Sequence, residues 1–383
     1  MYDRHLSRTR LFIGACAAMF LFGIVLAVLG VLFGLPEMRE RLGVTLVQQG
    51  DIFLALFFGV FLSTIIVGPL IDTFGNKLVL VVAASLVAVG LSLVATAHSF
   101  VPAIVASLLL GFGGGGLNTS ANALVADLYP DTRGPRLSVV QAFYGVGALL
   151  IPLLAASMLA PTPLLFVGAS LAAVCAIAYA FLPFPARAEA GGFSPFASIR
   201  AIRIPGVLFF GVLLLCESGT EAVVAGWTST YAGSIGATPR NATWILTSYW
   251  IAFTFGRFAN AKLLAHFPKR RLVAVSAMGS ATGAALLLAS TSPRMLAAAA
   301  MVIGLSCAAI YPTTLAIAAD RYQRVAGTIF GLLFAMGLCG GMLFPWIVGH
   351  VSQSAGIRAA MVVPFAGAFV ISILAVLQSR SNA

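Results

Sequence analysis

Ala126-Asp127-Leu128-Tyr129 closes one long apolar run of the chain, and Ala319-Asp320-Arg321-Tyr322 closes another. The two aspartates are 193 positions apart (320 − 127 = 193). Four further pairs of residues keep the same offset: Gly147 and Gly340, Pro152 and Pro345, Leu70 and Leu263, Phe74 and Phe267. Internal repeats of membrane bundles are recognised by weak symmetry of this kind. The offset therefore predicts two copies of one architecture.

The composition indicates that most of the protein surface is in contact with lipid. Of 383 residues, 60% are hydrophobic and 9% are charged, whereas soluble proteins carry about 25% charged residues. The net charge of +11 does not indicate nucleic-acid binding, because the cations lie in short gaps between apolar runs, as the positive-inside rule describes. All five cysteines fall inside apolar runs without a C-x-x-C spacing. We therefore expect no disulfide framework, no metal site and no cofactor.

Twelve apolar runs are long enough to cross a membrane, which takes about 20 residues. They cover approximately residues 11–35, 52–71, 78–97, 101–126, 137–160, 162–182, 205–232, 242–265, 272–291, 294–319, 325–350 and 356–378. We predict an all-α membrane protein of 12 transmembrane helices in two six-helix halves, residues 1–182 and 205–383. The polar stretch 183–204 is the predicted cytoplasmic linker between the halves.

The distribution of lysine and arginine predicts the orientation of the chain. The richer side carries Arg4, Arg8, Arg10, Lys77, Arg133, Arg136, Lys269, Arg270, Arg271, Arg321, Arg324 and Arg380. The poorer side carries Arg39, Arg41, Arg240, Arg294 and Arg358. The richer side is cytoplasmic by the positive-inside rule, so we predict a multi-pass protein with both termini in the cytoplasm.

Two glutamates inside the seventh run are the strongest candidates for chemistry. Ionisable groups at membrane depth are functional candidates because burying a charge there is costly. Glu217 and Glu221 are four residues apart and share one helix face. Two such carboxylates cannot both ionise cheaply in a medium of low dielectric, so one is expected to carry a proton and to suit proton coupling. The alternative is a protonated glutamate that bonds to a neighbouring helix, and Arg257 in the eighth run is a candidate buried partner.

Neutral polar and aromatic side chains lie at similar depth in other runs. Amides can bond to the hydroxyls of a polyol, and aromatic rings can pack on the apolar face of a sugar ring. The alternatives are interhelical hydrogen bonds and, for Trp227 and Tyr249, anchoring at the membrane interface. The candidate substrate-binding residues are Asn118, Asn122, Gln141, Tyr144, Glu221, Trp227, Tyr249, Trp250 and Tyr311.

The sequence contains no arrangement that indicates an enzyme. All four histidines fall in loops or at the ends of runs, and no Ser-His-Asp or metal-ligand pattern is visible. The glycine-rich stretch 111–116 is followed by Leu117 and Asn118 rather than by a lysine. Close helix packing through small residues explains it better than phosphate binding.

The end of the second run carries a recognisable loop, Gly68-Pro69-Leu70-Ile71-Asp72-Thr73-Phe74-Gly75-Asn76-Lys77. It resembles the signature loop between helices two and three of the major facilitator superfamily. The resemblance implies that Gly68, Asp72, Gly75 and Lys77 form a cytoplasmic latch, with Arg133 or Arg136 as partner. Thr73 and Asn76 replace residues that are usually basic in that family, which implies a weaker latch.

A narrower resemblance is to the fucose–glucose type of sugar permease within that superfamily. It is carried by four segments: Gly115 to Asn122, Phe143 to Ala148 with Pro152, Glu221 to Tyr231, and Ala309 to Thr313. Proton-linked members commonly carry acids in helices one and four, whereas here the first run has none and the fourth has only Asp127 at its end. Coupling would therefore have to use the glutamates of helix seven, or the protein is a facilitator.

These observations together predict a secondary active transporter of a small neutral solute, in the first instance a hexose. It is expected to work by alternating access and to couple solute transport to protons. One alternative is a proton-linked efflux antiporter for amphipathic compounds, and another is a sugar facilitator without proton coupling. A non-transporting sensor or assembly protein is a third. We expect a monomer in a bacterial inner membrane, whose partners are the solute, protons and the bilayer, and not nucleic acid.

Overall fold

The computed structural model describes residues 2–157, 160–184, 205–322 and 326–380, and their regular secondary structure is helical. The predicted linker lies outside these ranges except for its first two residues. The helices are α1 (Tyr2–Leu32), α2 (Pro36–Leu42), α3 (Leu46–Thr96), α4 (Phe100–Leu128), α5 (Arg133–Ala156), α6 (Pro161–Phe181), α7 (Pro205–Ser234), α8 (Pro239–Leu263), α9 (Lys269–Ala289), α10 (Pro293–Arg321), α11 (Ala326–Ala355), α12 (Ile357–Ala360) and α13 (Val362–Arg380).

Ten of these helices are long and apolar enough to cross a membrane. One of the ten, α3, is two helices joined at Gly75, whose φ of 80° and ψ of 161° interrupt the helical backbone. The 25-residue α8 is long enough but less apolar, since it contains Arg240, Arg257 and Lys262. With α3 counted twice and the short α2 and α12 left aside, twelve long helices remain. The prediction of an all-α membrane protein with twelve helices is confirmed.

Proline and short polar side chains set where several helices begin. Proline occupies the first turn of α6, α8 and α10, where its missing N–H costs nothing. The hydroxyl of Thr238 accepts a hydrogen bond from the backbone N–H of Asn241 (3.3 Å), and that of Ser292 accepts one from Met295 (3.4 Å). These are ordinary N-caps, which explains why the observed ends lie within a few residues of the apolar runs.

The glycine-rich stretch of α4 packs against neighbouring helices. A Cβ added at Gly111 would collide with the carbonyl oxygen of Leu56, and one at Gly115 would lie 2.8 Å from that of Val60. Only the absence of a side chain lets the backbones of α4 and α3 come this close. The interpretation of this stretch as a packing surface is confirmed.

The repeated pair Gly147 and Gly340 marks the same kind of close approach in both halves of the sequence. A Cβ at Gly147 of α5 would collide with the carbonyl oxygen of Phe20 in α1. A Cβ at Gly340 of α11 would collide with the carbonyl oxygen of Leu215 in α7. The residues related by the offset of 193 therefore make the same kind of close helix–helix contact in both halves of the sequence.

Replacing Gly340 by alanine is expected to destabilise the protein by about 1–3 kcal/mol, because the added methyl group overpacks the contact of α11 with α7. The measurement is the melting temperature of the purified protein in detergent. Gly233→Ala is the control, since a Cβ there meets nothing within 4 Å. Equal melting temperatures for the two variants would contradict the packing role of Gly340.

The chain divides into two compact units. One contains Met1–Leu29, Glu37–Gly43 and Ala55–Phe193, and the other contains Gly30–Pro36, Val44–Leu54 and Ser194–Ala383. In the second unit α7 is central, because it packs against α8, α10, α11 and α13. The apolar core there includes Phe210, Leu213, Ile310, Leu333 and Ile371.

Candidate functional site

The first unit contains a chain of hydrogen-bonded amides that joins α4 to α5. The Nδ2 of Asn122 donates to the Oδ1 of Asn118 at 3.0 Å and to its backbone oxygen at 2.8 Å. The Nε2 of Gln141 donates to the Oδ1 of Asn122 at 3.1 Å. Asn118 is buried, whereas Asn122 and Gln141 are partly exposed. An amide offers both donors and an acceptor, so the three predicted residues form one polar group that could bond to hydroxyls.

Tyr144 extends this group by one turn of α5. It stands three residues after Gln141, which places both on one side of the helix. Its ring is buried and lies 5.7 Å from the ring of Phe22 in α1. Tyr144 is therefore a neighbour of Gln141, the last member of the amide chain.

The second unit contains the predicted acid pair in α7. Glu217 has no exposed surface, and in the described part of the chain neither carboxylate oxygen has a hydrogen-bond partner. Glu221 follows one turn later and is partly exposed. Glu217 lies within electrostatic range of Glu221 and Arg257.

Side chains from two other helices complete the surroundings of the acids. Arg257 of α8 interacts electrostatically with Glu217, and its guanidinium carbon lies 4.8 Å from the ring centroid of Phe253. Cys307 and Tyr311 of α10 also lie within electrostatic range of both glutamates and of Arg257. An ionised carboxylate without hydrogen bonds is very costly in such surroundings. We therefore expect Glu217 to carry a proton in this conformation.

The other predicted aromatic residues of the second unit lie in its packed interior. Trp227, Tyr249 and Trp250 each have no exposed surface. The ring of Trp227 lies 6.1 Å from that of Phe53, and the rings of Tyr249 and Trp250 are 5.1 Å apart. Full burial does not fit the alternative that Trp227 and Tyr249 anchor the chain at the membrane interface. Tyr311, the fourth aromatic candidate of this unit, lies within electrostatic range of both glutamates.

Sequence reasoning missed the part that residues 30–36 and 44–54 play in the second unit. The Nε2 of Gln49 donates to the Oγ1 of Thr230 at 3.1 Å. The Nε1 of Trp346 donates to the Oδ1 of Asp51 at 3.0 Å. Pairs so far apart in the chain leave no periodic signal. Arg257, by contrast, is predicted from the sequence as a buried partner, because it is one of two cations inside the eighth apolar run, the other being Lys262.

The predicted latch residues lie at one end of the first unit. Gly75 has a positive φ of 80°, a conformation that suits glycine, and it separates the two helices of α3. Asp72 and Arg133 both lie within electrostatic range of Asp127. The guanidinium carbon of Arg136 lies 4.6 Å from the ring centroid of Tyr129. Gly68 is partly exposed and Lys77 is exposed on α3. The latch itself stays a prediction.

Among the described residues, no group of three or more histidine, cysteine, aspartate or glutamate side chains could hold a metal ion.

The family model of the Major Facilitator Superfamily matches residues 11–231 and 211–382. The chain belongs to this superfamily. The predicted superfamily is thereby confirmed, and with it a family of membrane transporters.

Curated relatives cover most of the chain at low identity. Protein TsgA homolog of Citrobacter koseri is 24% identical over 344 residues, which are 88% of this chain and 85% of that protein. Protein TsgA of Escherichia coli O157:H7 is 23% identical with the same coverage.

Solved structures share the fold. A crystal structure of the nucleoside transporter NupG has a TM-score of 0.78 and 16% identity, and the match covers 98% of this chain and 100% of that one. The structure of the Escherichia coli fucose:proton symporter FucP has a TM-score of 0.68 and 22% identity, and the match covers 97% of this chain and 98% of that one. The structure of a D-xylose-proton symporter has a TM-score of 0.78 and 14% identity, and the match covers 97% of this chain and 96% of that one. The resemblance to sugar permeases agrees with these neighbours.

Proposed function

We propose that the protein is a secondary active transporter that moves a small neutral solute, in the first instance a hexose, together with protons. Glu217 and Glu221 carry the proton. The amide group of Asn118, Asn122 and Gln141, with Tyr144, binds the solute, and Tyr311 contributes next to the acids. Trp227, Tyr249 and Trp250 contribute to the walls of the solute-binding site.

The single observation that carries the proposal is the environment of Glu217. A fully buried carboxyl without hydrogen bonds in the described residues is stable when neutral, and it can ionise only if its surroundings change. A transporter that alternates between two conformations provides such a change. Arg257 supplies the positive charge that stabilises the ionised form when the proton leaves.

The choice of solute is supported by the chemistry of the amide group and by the similar structures. Amides bond well to neutral hydroxyl groups, whereas an anionic solute would call for cations. The similar structures are those of transporters for fucose, D-xylose and a nucleoside, which are all neutral compounds with several hydroxyl groups.

The proposal includes the setting of the transporter. The protein lies in a bacterial inner membrane as a monomer with both termini in the cytoplasm. Two six-helix domains, residues 1–182 and 205–383, are joined by a cytoplasmic linker at 183–204. Gly68, Asp72, Gly75 and Lys77 form the latch, with Arg133 or Arg136 as partner.

Uptake of labelled hexoses, pentoses and nucleosides into proteoliposomes tests the proposal, with and without an inward proton gradient. Accumulation of one of these solutes that depends on the gradient is the expected result. Equilibration that ignores the gradient would make the protein a facilitator. Failure of every neutral solute, combined with export of an amphipathic compound, would establish the efflux antiporter instead.

A further inference from the structure

The second unit has a cavity that the proposed transport chemistry does not use. It lies among α7, α9, α10 and α13 and has a volume of about 970 Å³. Phe210, Ile317 and Leu377 line its apolar walls. Phe210 and Ile317 are buried, whereas Leu377 is 54% exposed. In a membrane-spanning helix an exposed leucine faces acyl chains, so the cavity has a side that is open to lipid.

The rim of the cavity is positively charged. Lys269, Arg270 and Arg321 line it together with one anion, Asp320. The Nζ of Lys269 lies 2.7 Å from the Oδ2 of Asp320, which fixes this lysine at the rim. Three cations against one anion leave a net charge of +2. These cations belong to the side of the chain that the positive-inside rule assigns to the cytoplasm.

Gln378 in the lining favours a phosphate that carries hydroxyl groups. Gln378 is 9% exposed, and its Oε1 has no hydrogen-bond partner in the described part of the chain, so it can accept a bond from a ligand. A Cβ at Gly206 would collide with the hydroxyl oxygen of Tyr322 and would lie 3.6 Å from the guanidinium carbon of Arg321, so glycine lets both side chains pack against the start of α7. The guanidinium carbon is also 5.8 Å from the ring centroid of Tyr322.

We propose that this cavity binds the headgroup of an anionic phospholipid of the phosphatidylglycerol type. The phosphate is bound by Arg270 and Arg321, with Lys269 beside them. A glycerol hydroxyl donates to Gln378, and an acyl chain runs along Leu377. Basic pockets between helices on the cytoplasmic side are suited to such headgroups. A free phosphate ion would gain nothing from the apolar walls, which is why we commit to a lipid.

The neighbouring Arg271 makes the proposal easy to test. It is exposed and belongs to the same basic cluster, but it is not among the residues that line the cavity. A general attraction of the basic surface for anionic lipid would use Arg270 and Arg271 alike. A defined site uses only Arg270.

The experiment measures phosphatidylglycerol binding to the purified, delipidated full chain by native mass spectrometry, with phosphatidylcholine of identical acyl chains as reference. Each arginine lost from the site is expected to weaken binding about fivefold, so Arg270→Gln combined with Arg321→Gln weakens it about 25-fold. Gln378→Leu also weakens it, and Arg271→Gln leaves it unchanged. An Arg271→Gln effect as large as that of Arg270→Gln would overturn the proposal, as would equal binding of the two lipids.

A second measurement on the unaltered chain guards against variants that fail to fold. Phosphatidylglycerol with a photoreactive acyl chain is expected to label the peptides around Phe209 and Leu377. Labelling elsewhere, with these peptides unlabelled, would overturn the proposal, as would displacement of the lipid by inorganic phosphate. The proposal would also be overturned if the full chain bound no phosphatidylglycerol. That result would indicate that another segment of the chain fills the cavity.

Discussion

Replacing Glu217 by glutamine is expected to abolish gradient-driven accumulation of the solute while exchange of labelled for unlabelled solute continues. Glutamine keeps the size of a neutral glutamic acid but cannot release a proton. With one proton per solute, a gradient of one pH unit supports about tenfold accumulation, because each 1.4 kcal/mol is a factor of ten. In the variant the ratio of inside to outside concentration should therefore fall from about ten to one.

Two companion variants sharpen this prediction. Glu221→Gln should also remove the dependence of transport on pH if Glu221 shares the proton, and unchanged dependence would exclude that role. Glu40→Gln is the matched control, since Glu40 is exposed on the short helix α2 and its substitution should change neither quantity. Full accumulation by Glu217→Gln would show that Glu217 has a purely structural role.

Replacing Asn122 by alanine is expected to raise the KM for the transported solute about 10- to 100-fold. Asn122 is the middle member of the amide chain, and its loss leaves the Nε2 of Gln141 and the Oδ1 of Asn118 without their mutual partner. Each unsatisfied or lost bond of this kind costs about 1–3 kcal/mol. Initial rates of uptake over a range of solute concentrations provide the measurement.

A buried amide in the second unit serves as control for Asn122. The Oδ1 of Asn260 accepts a hydrogen bond from the Oγ1 of Thr313 at 3.3 Å, between α8 and α10. Asn260→Ala should lower the melting temperature with little change in KM. If Asn122→Ala behaves in the same way, the amide chain is only an interhelical bond and its role in solute binding is refuted.

Much of this architecture could be predicted because it depends on local and repeated features. Apolar runs of membrane length define the helices, and the aspartates at 127 and 320 show the duplication. The acid pair could be predicted from its spacing alone, since residues four apart share a helix face. The group of Asn118, Asn122 and Gln141 could be predicted because amides inside apolar runs need hydrogen-bond partners, and other amides at the same depth provide them.

Other features could not be predicted, for identifiable physical reasons. The bond between Asp51 and Trp346 joins residues 295 positions apart, and no periodicity records such a pair. Trp227 and Tyr249 lie in helices whose apolar residues are spread around the axis rather than gathered on one face, so the sequence does not show which face meets lipid. Their complete burial follows from tertiary packing, here against Phe53 for Trp227. The split of α3 at Gly75, by contrast, agrees with the predicted gap between the apolar runs 52–71 and 78–97.

Simultaneous recording of solute uptake and internal pH in proteoliposomes, with no initial gradient, tests proton coupling through α7 most directly. Addition of the transported solute outside should acidify the interior of vesicles that contain the unaltered protein. The double variant Glu217→Gln with Glu221→Gln should exchange solute without any change of pH. Solute entry without acidification in the unaltered protein, or persistent acidification in the double variant, would contradict proton coupling by these two carboxyl groups.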